Sequence, residues 1–188
     1  MGPAQNTPYD EEARVYDELL VTLIRQGDRR AGERLAARWH PRLLRTARRW
    51  LQDHGQAEEA VQEAWAGIAK GWWRLSDPAK FPSWAFGILY RKCADRIAAN
   101  KTQRERTAPL DESQQGATGP RAESLVAVDQ ALSRLSPDHR LAAVLFFGEG
   151  LTLSEIAAAT KVPVGTAKSR LFHARQQLKS LLGESHDD

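Results

Sequence analysis

"LTLSEIAAATKVPVGTAKSRLFHARQQL", residues 151–178, holds two short helical patterns around one tight turn. The first runs from about Leu153 to Thr160, with Ile156 and Ala157 facing inward. Thr152 and Glu155 stand ahead of it at capping-box spacing, where each side chain satisfies a free backbone N–H at the helix start. "KVP" turns the chain, and the second helix runs from near Val164 through Leu178 to Leu182. Small residues at Ala157, Ala158 and Gly165 allow the two helices to approach closely. This is the spacing of a helix-turn-helix, whose second helix enters the major groove with its N-terminal residues against base edges. Thr166, Lys168, Ser169 and Arg170 then lie near bases or flanking phosphates, with His173 and Arg175 further along, against the backbone. Arginine and lysine are the side chains that recognise guanine edges and hold phosphates. A helical hairpin with a merely solvated basic face shares the composition, but needs neither the cap nor the spacing.

The 188 residues suffice for one ordinary domain or two small ones, and 41% hydrophobic residues are enough for a core. The formal charge is only +3, from 27 basic and 24 acidic residues. Its distribution says more. Residues 51–69 hold Asp53, Glu58, Glu59 and Glu63 and no Lys or Arg, whereas residues 161–180 hold Lys161, Lys168, Arg170, Arg175 and Lys179 and no acid. Segregated charge points to two partner surfaces, because a basic patch attracts phosphate and an acidic one repels it. Cys93 is the single cysteine. It excludes an internal disulfide and a cysteine zinc cage, and it reads as a small core residue. No apolar run approaches the roughly 20 residues of a bilayer span, and "MGPAQNTPYDEEAR" lacks the features of a secretory signal. A cytoplasmic protein without direct membrane insertion is expected.

The periodicity is helical almost everywhere and no alternating strand occurs, so the fold class is all-α. Leu19, Leu20, Leu23 and Ile24 mark a first helix that stops at Gly27, and Asp28 caps the next. That second helix places Leu35, Trp39, Leu43, Ala47, Trp50 and Leu51 on one face, with Arg34, Arg38, Arg42, Arg45 and Arg49 over much of the rest; Pro41 should kink or divide it. A third is expected from about Ala57 to Trp73, and a fourth from about Trp84 after the breaker "RLSDPAKFPS". From Thr102 to Ser124 the pattern fails in favour of Gly, Pro, Ser, Gln and Thr, the composition of a flexible linker. Beyond it, Leu125, Val128, Leu132 and Leu135 mark a helix. Ser136 and Pro137 start the next, which "GEG" (148–150) ends.

These stretches together resemble bacterial RNA polymerase sigma factors of the extracytoplasmic-function (ECF) type, from about Glu18 to Leu182. "AEEAVQEAWAGI" (57–68) is similar to region 2.2, "FPSWAFGILYRKCADRI" (81–97) to regions 2.3 and 2.4, and "LSPDHRLAAVLFFGEGLTLSEIAAATKVPVGTAKSRLFHARQQL" (135–178) to region 4. The resemblance implies two small helical domains joined by a flexible linker. Region 2 spans 15–106, the linker 107–123 and region 4 124–183, with flexible ends at 1–14 and 184–188.

The resemblance also implies partners. Glu58, Glu59, Gln62 and Glu63 would dock on the clamp helices of the largest subunit of core polymerase, and an acidic surface suits a basic protein partner. The loop "LSDPAKF" (75–81) would capture a base flipped from the minus-ten element, with Ser76, Asp77 and Lys80 in it. Trp73, Phe81, Trp84 and Tyr90 are the nearby aromatics, although each is more readily a core residue, Trp84 in particular. Arg91, Lys92, Arg96 and Lys101 would meet phosphates. Asp95 and Arg96 match a frequent Asp-Arg pair, while Arg91 stands where many members carry Asn, a change that bears on minus-ten preference. Thr166, Lys168, Ser169, Arg170, His173 and Arg175 would grip the minus-thirty-five element. Leu145, Phe146 and Phe147 would face the flap of the second-largest subunit. An anti-sigma factor is an expected partner, and the free chain is expected to be a monomer.

Two other readings bear on the same residues. A helix-turn-helix regulator would bind duplex DNA tightly alone and would need neither the acidic helix nor the aromatic loop. A sigma-like decoy would have degraded recognition residues. Catalysis has no support: the five histidines, His40, His54, His139, His173 and His186, are scattered without metal spacing or a nucleophile–base pair. No cofactor, metal or catalytic residue is expected.

Overall fold

The computed structural model describes residues 9–106 and 120–183, with side chains described outside 101–125. Eight α-helices occur among these residues, and no strand. They are α1 (Glu11–Arg25), α2 (Arg29–Leu51), α3 (His54–Gly71), α4 (Phe81–Arg106), α5 (Pro120–Ser133), α6 (Pro137–Ala143), α7 (Leu153–Thr160) and α8 (Val164–Gly183). Short 3-10 turns at Trp72–Arg74 and Pro78–Lys80 separate α3 from α4, and a π turn at Val144–Gly148 extends α6. Residues 107–119, most of the expected linker, and the ends 1–8 and 184–188 lie outside the described residues.

The helix starts follow their caps. The side chains of Asp10, Asp28, Asp53, Ser136 and Thr152 each accept from a backbone N–H in the first turn that follows. The capping box of α7 is complete: Thr152 N donates to Glu155 Oε2 at 2.8 Å, and Glu155 N to Thr152 Oγ1 at 3.2 Å. Of the two outcomes expected at Pro41, a kink or a division, division does not occur: α2 runs unbroken from Arg29 to Leu51. Proline removes the bond to the carbonyl four residues back and crowds that carbonyl, but Pro41 sits on the exposed side, where water can take it. Defined structure is also present earlier than expected. Tyr9, inside the segment read as a flexible end, is buried edge-on against Trp39.

α1 to α4 form one bundle. Asp17 of α1 is buried and accepts from Arg38 Nε (2.8 Å) and Trp39 Nε1 (2.7 Å), which fixes α1 on α2. α5 to α8 do not stand apart from this bundle. Leu141, Leu145, Leu151, Ile156 and Ala157 belong to the same buried cluster as Leu35, Leu43, Phe86 and Leu89. α7 lies against α4 at Gly87, where an added Cβ would sit 3.3 Å from the Ala159 carbonyl oxygen. Only glycine allows helices this close without displacement. A smaller second cluster, Leu132, Leu135, Ala143, Val144 and Ala174, closes the C-terminal half on itself.

Candidate nucleic-acid interface

Glu58, Glu59, Gln62 and Glu63 share the exposed face of α3, because its opposite stripe, Ala57, Ala60, Val61, Ala64 and Ile68, is buried. The carboxylates are not free. Glu63 accepts from Arg96 at 2.8 Å and pairs with Lys92 at 3.1 Å; Glu59 meets Arg96 at 3.4 Å, and Glu58 meets Arg48 at 2.9 Å. The bonds from Arg96 and then Lys92 hold the Glu63 carboxyl below the usual carboxylate range. Two groups assigned to different partners by the sequence, the acids of α3 and the bases of α4, therefore border each other and are mutually paired. Arg91 and Asp95 are exposed on α4; the side chain of Lys101 lies outside the described residues.

The four candidate aromatics in and before α4 separate into two sets. Phe81 is fully buried, packed against Trp39 (ring centroids 4.7 Å) and stacked on Trp72 (5.7 Å). This corrects its place among base-stacking candidates: reaching a base would mean unpacking the core of the bundle. Tyr90 stacks on Trp50 at 5.3 Å, and Trp84 packs on Trp72 and Phe81. Only Trp73 of the four is well exposed, at 70%. Asp77 caps the turn ahead of α4 by accepting from Ala79 N at 3.1 Å, and also meets Lys80 at 3.7 Å. Ser76 is exposed, and its carbonyl accepts from Arg25 at 3.2 Å. The loop is thus a small capped scaffold with Trp73, Ser76 and Lys80 on its outside.

α8 buries Ala167 and Ala174, one heptad apart, and turns Lys168, Ser169, His173 and Arg175 outward. Thr166 is half-buried at the first turn, and Ser169 Oγ donates to its carbonyl at 3.0 Å. Arg170 is not a free probe, since it donates to Asp138 of α6 at 2.6 Å. His173 stacks on His139, the next residue of α6, at 5.6 Å. The first turn of α6 therefore braces α8 at two side chains. The expected flap-facing trio is corrected as well. Leu145 is buried and Phe146 half-buried, leaving Phe147, 50% exposed, beside an open apolar recess formed with Leu178 and Leu182. The π turn sets this division by rotating successive side chains away from the α-helical register.

Several residues that the periodicity left unassigned carry the most polar bonds. Arg140 is buried and donates to four carbonyls: Leu132 (2.8 Å), Ser133 (2.9 Å), Leu135 (2.9 Å) and, across to α2, Trp50 (3.0 Å). Burial lowers its pKa from the ordinary arginine value. Glu149, in the "GEG" read only as a helix stop, is 0% exposed and held by Arg42, Arg45 and Thr46. The usable sequence signal was an acid between two glycines, together with arginines in excess of what a solvated α2 face requires. Among the described residues no group of three or more His, Cys, Asp or Glu could hold a metal ion, and no helix is long and apolar enough to cross a membrane.

Comparison with known proteins matches this layout in both halves. Residues 35–103 match sigma-70 region 2, and residues 125–178 match sigma-70 region 4. The ECF RNA polymerase sigma factor SigM of Mycobacterium tuberculosis is 34% identical over 167 residues, covering 88% of this chain and 84% of that protein. Among solved structures, the sigma factor RpoE of Bartonella quintana, in complex with the anti-sigma factor NepR, superposes with a TM-score of 0.67. It is 23% identical and covers 83% of this chain and 98% of its own. CnrH, in complex with the cytosolic domain of CnrY, gives 0.63 at 24% identity, covering 92% and 99%. With region 2 and region 4 in order, an acidic α3, a capped aromatic loop and a braced recognition helix, this chain belongs to the family of ECF RNA polymerase sigma factors.

Proposed function

We propose that this sigma factor binds core RNA polymerase through the α3 face of Glu58, Glu59, Gln62 and Glu63, and directs it to promoters with separate minus-ten and minus-thirty-five elements. The reading rests above all on one arrangement: an exposed acidic helix face in one half of the chain and an outward basic recognition helix in the other. Residues 15–106 form the polymerase-binding and minus-ten unit, and 124–183 the minus-thirty-five unit. Trp73, Ser76 and Lys80 face the flipped base, with Arg91, Lys92 and Arg96 on nearby phosphates. On α8, Lys168 and Arg175 supply the groove and backbone contacts, with Arg170 joining them where a phosphate displaces Asp138, and Phe147 meets the flap. The nucleotide chemistry belongs to the polymerase; the chain supplies binding, strand selection and orientation. An anti-sigma factor is the fitting regulator, and a cytoplasmic site of action follows from these partners.

The test is co-elution and titration with bacterial core polymerase, comparing the natural chain with Glu59→Lys/Glu63→Lys. The natural chain is expected to bind tightly and the variant to lose at least tenfold. Absence of binding by a folded, inhibitor-free sample would overturn the sigma role and favour a regulator that binds duplex DNA alone.

A further inference from the structure

Two consecutive residues of α6 hold one flank of α8. Asp138 accepts from Arg170 Nη2 at 2.6 Å, and the imidazole of His139 stacks on that of His173, with ring centroids 5.6 Å apart and planes 27° from parallel. The support is itself fixed. Ser136, the cap of α6, accepts from His139 N at 3.4 Å, and Arg140, the next residue, is anchored by its four carbonyls. His173 is exposed, on the side of α8 away from the buried Ala167 and Ala174, and the Phe172 ring meets it edge-on at 5.5 Å. The ring is thus steadied by His139 and Phe172 while staying open to solvent. What it lacks is an anion. Imidazole is the side chain whose charge changes between about pH 5 and 8, and a cationic ring is favoured by a carboxylate or phosphate within reach. The acid beside it, Asp138, is turned to Arg170. Among the described side chains of the other helices packed on α8, Asp129 of α5 pairs with Arg49, and Glu155 of α7 pairs with Arg14. The bases of this surround are Arg134 after α5, Arg140 of α6 and Lys161 after α7, with Lys168, Arg170, Arg175 and Lys179 on α8 itself. His139 offers no substitute for an anion, since its Nδ1 is shut off from water without a hydrogen-bond partner among the described residues.

We propose that His173 is a proton-linked reader of the minus-thirty-five element, which bonds a DNA phosphate as the imidazolium, and that His139 of α6 is the positioning residue that holds it there. This rests on the minus-thirty-five reading of α8 above. A neutral imidazole offers a phosphate one uncharged N–H, whereas the protonated ring offers an N–H that carries charge, the stronger bond. In the free chain every carboxylate near the ring is engaged elsewhere; duplex DNA brings one negative charge per roughly 1.7 Å of its axis. The imidazolium therefore gains more from DNA than the neutral ring does, and by reciprocity DNA draws a proton onto His173. The sign follows. A group whose proton affinity rises in the complex strengthens that complex as pH falls, and the gain is lost as pH rises through the value in the complex. Lysine and arginine stay charged throughout that range, so among the α8 residues assigned to DNA His173 alone makes its contact conditional on pH. His139 decides where the ring stands. Its backbone is capped and its neighbours are anchored, so it fills the space over α6 into which His173 would otherwise fold back.

The test uses holoenzyme assembled from the full chain and bacterial core polymerase. The probe is a duplex that this holoenzyme recovers from a pool randomised over the minus-thirty-five region. Binding is titrated at about pH 6 and about pH 8, each over a range of salt. The natural chain is expected to bind about threefold to tenfold tighter at the lower pH. The slope of log K against log salt should be steeper there by about one, the mark of one added phosphate contact. His173→Gln should bind with the weaker affinity at both pH values and His173→Lys with the stronger; the position is exposed, so neither change reaches the core. His139→Leu should narrow the difference by weakening the complex at the lower pH, while His139→Phe, which keeps a ring under His173, should retain it. Equal affinity of the natural chain at both pH values overturns the proposal, as does a pH effect that persists in His173→Gln. A full effect in His139→Leu, or its loss in a folded His139→Phe, overturns the positioning role. Failure to bind polymerase would instead overturn the sigma reading; the same variants, titrated alone on duplex selected by the chain alone, would then decide for His173.

Discussion

The α3–α4 face and the Glu149 recess are built from the same chemistry, glutamates bonded to arginines at about the same distances, yet they do opposite work. On the face, Glu58, Glu59 and Glu63 stay substantially exposed while paired with Arg48, Arg96 and Lys92. Solvent screens such pairs and offers nearly equivalent partners, so they are worth little and exchange readily for a protein surface or a phosphate. In the recess, Glu149 is sealed from water and every carboxylate bond comes from one helix of the other half. A sealed charge demands specific donors in specific places, and losing one partner strands the rest. Burial, more than residue type, distinguishes pairs that exchange readily from a contact that fixes one helix against another.

That contrast can be broken most severely at Arg140. Arg140→Leu takes the side-chain donor from four carbonyls, of which Leu132 keeps the Leu135 N–H, and urea unfolding should show a loss of about 3–5 kcal/mol. A smaller loss would mean that water already reaches the site. Gly87→Leu attacks the contact between α4 and α7 sterically, since even a Cβ there sits 3.3 Å from the α7 backbone. A loss of about 1–3 kcal/mol in urea unfolding is expected; an unchanged unfolding midpoint would place the two helices further apart than described.

Acid sharpens the comparison at the Arg14–Glu155 pair. Burial raises the Glu155 carboxyl, but the bonds from Arg14 and Thr152 outweigh it and hold the group below the ordinary value of 4.5. A depressed carboxylate contributes stability that is complete above its unfolded pKa and is lost as pH falls through the folded one. The stability that this pair contributes should therefore be constant from neutral pH down to about 4.5 and fall below it, and Glu155→Gln should flatten that part of the unfolding profile. The smallest effect belongs to the exposed face. Glu58→Gln should leave the unfolding midpoint within error, yet weaken binding to core polymerase; a large stability loss there would erase the distinction between the two regions.

Much of the recognition half was legible because its signals are local. The capping box at Thr152 and Glu155, the Ser136–Pro137 start and the turn at "KVP" act within one helical turn, and α7 and the start of α8 fall where those signals put them. The register of α2 was equally clear from its apolar stripe, but the fate of Pro41 depended on which side faced water. Phe81 and Trp73 illustrate the limit. Two aromatics eight residues apart look alike in a sequence, and only the packing of Trp39 and Trp72 makes one of them core and leaves the other exposed.

The sequence by itself determined an all-α chain, its caps and breaks, an acidic helix, a basic C-terminal helix and membership of a sigma family, because periodicity, capping and motif spacing are properties of neighbouring residues. The tertiary structure alone decided that the halves share a core, that Lys92 and Arg96 neutralise Glu59 and Glu63, and that Glu149 is a ligand for arginines 104 and 107 positions away. Charge pairing across such separations depends on which faces the folded helices bring together and which of them lose water, and neither quantity is written in the order of the residues.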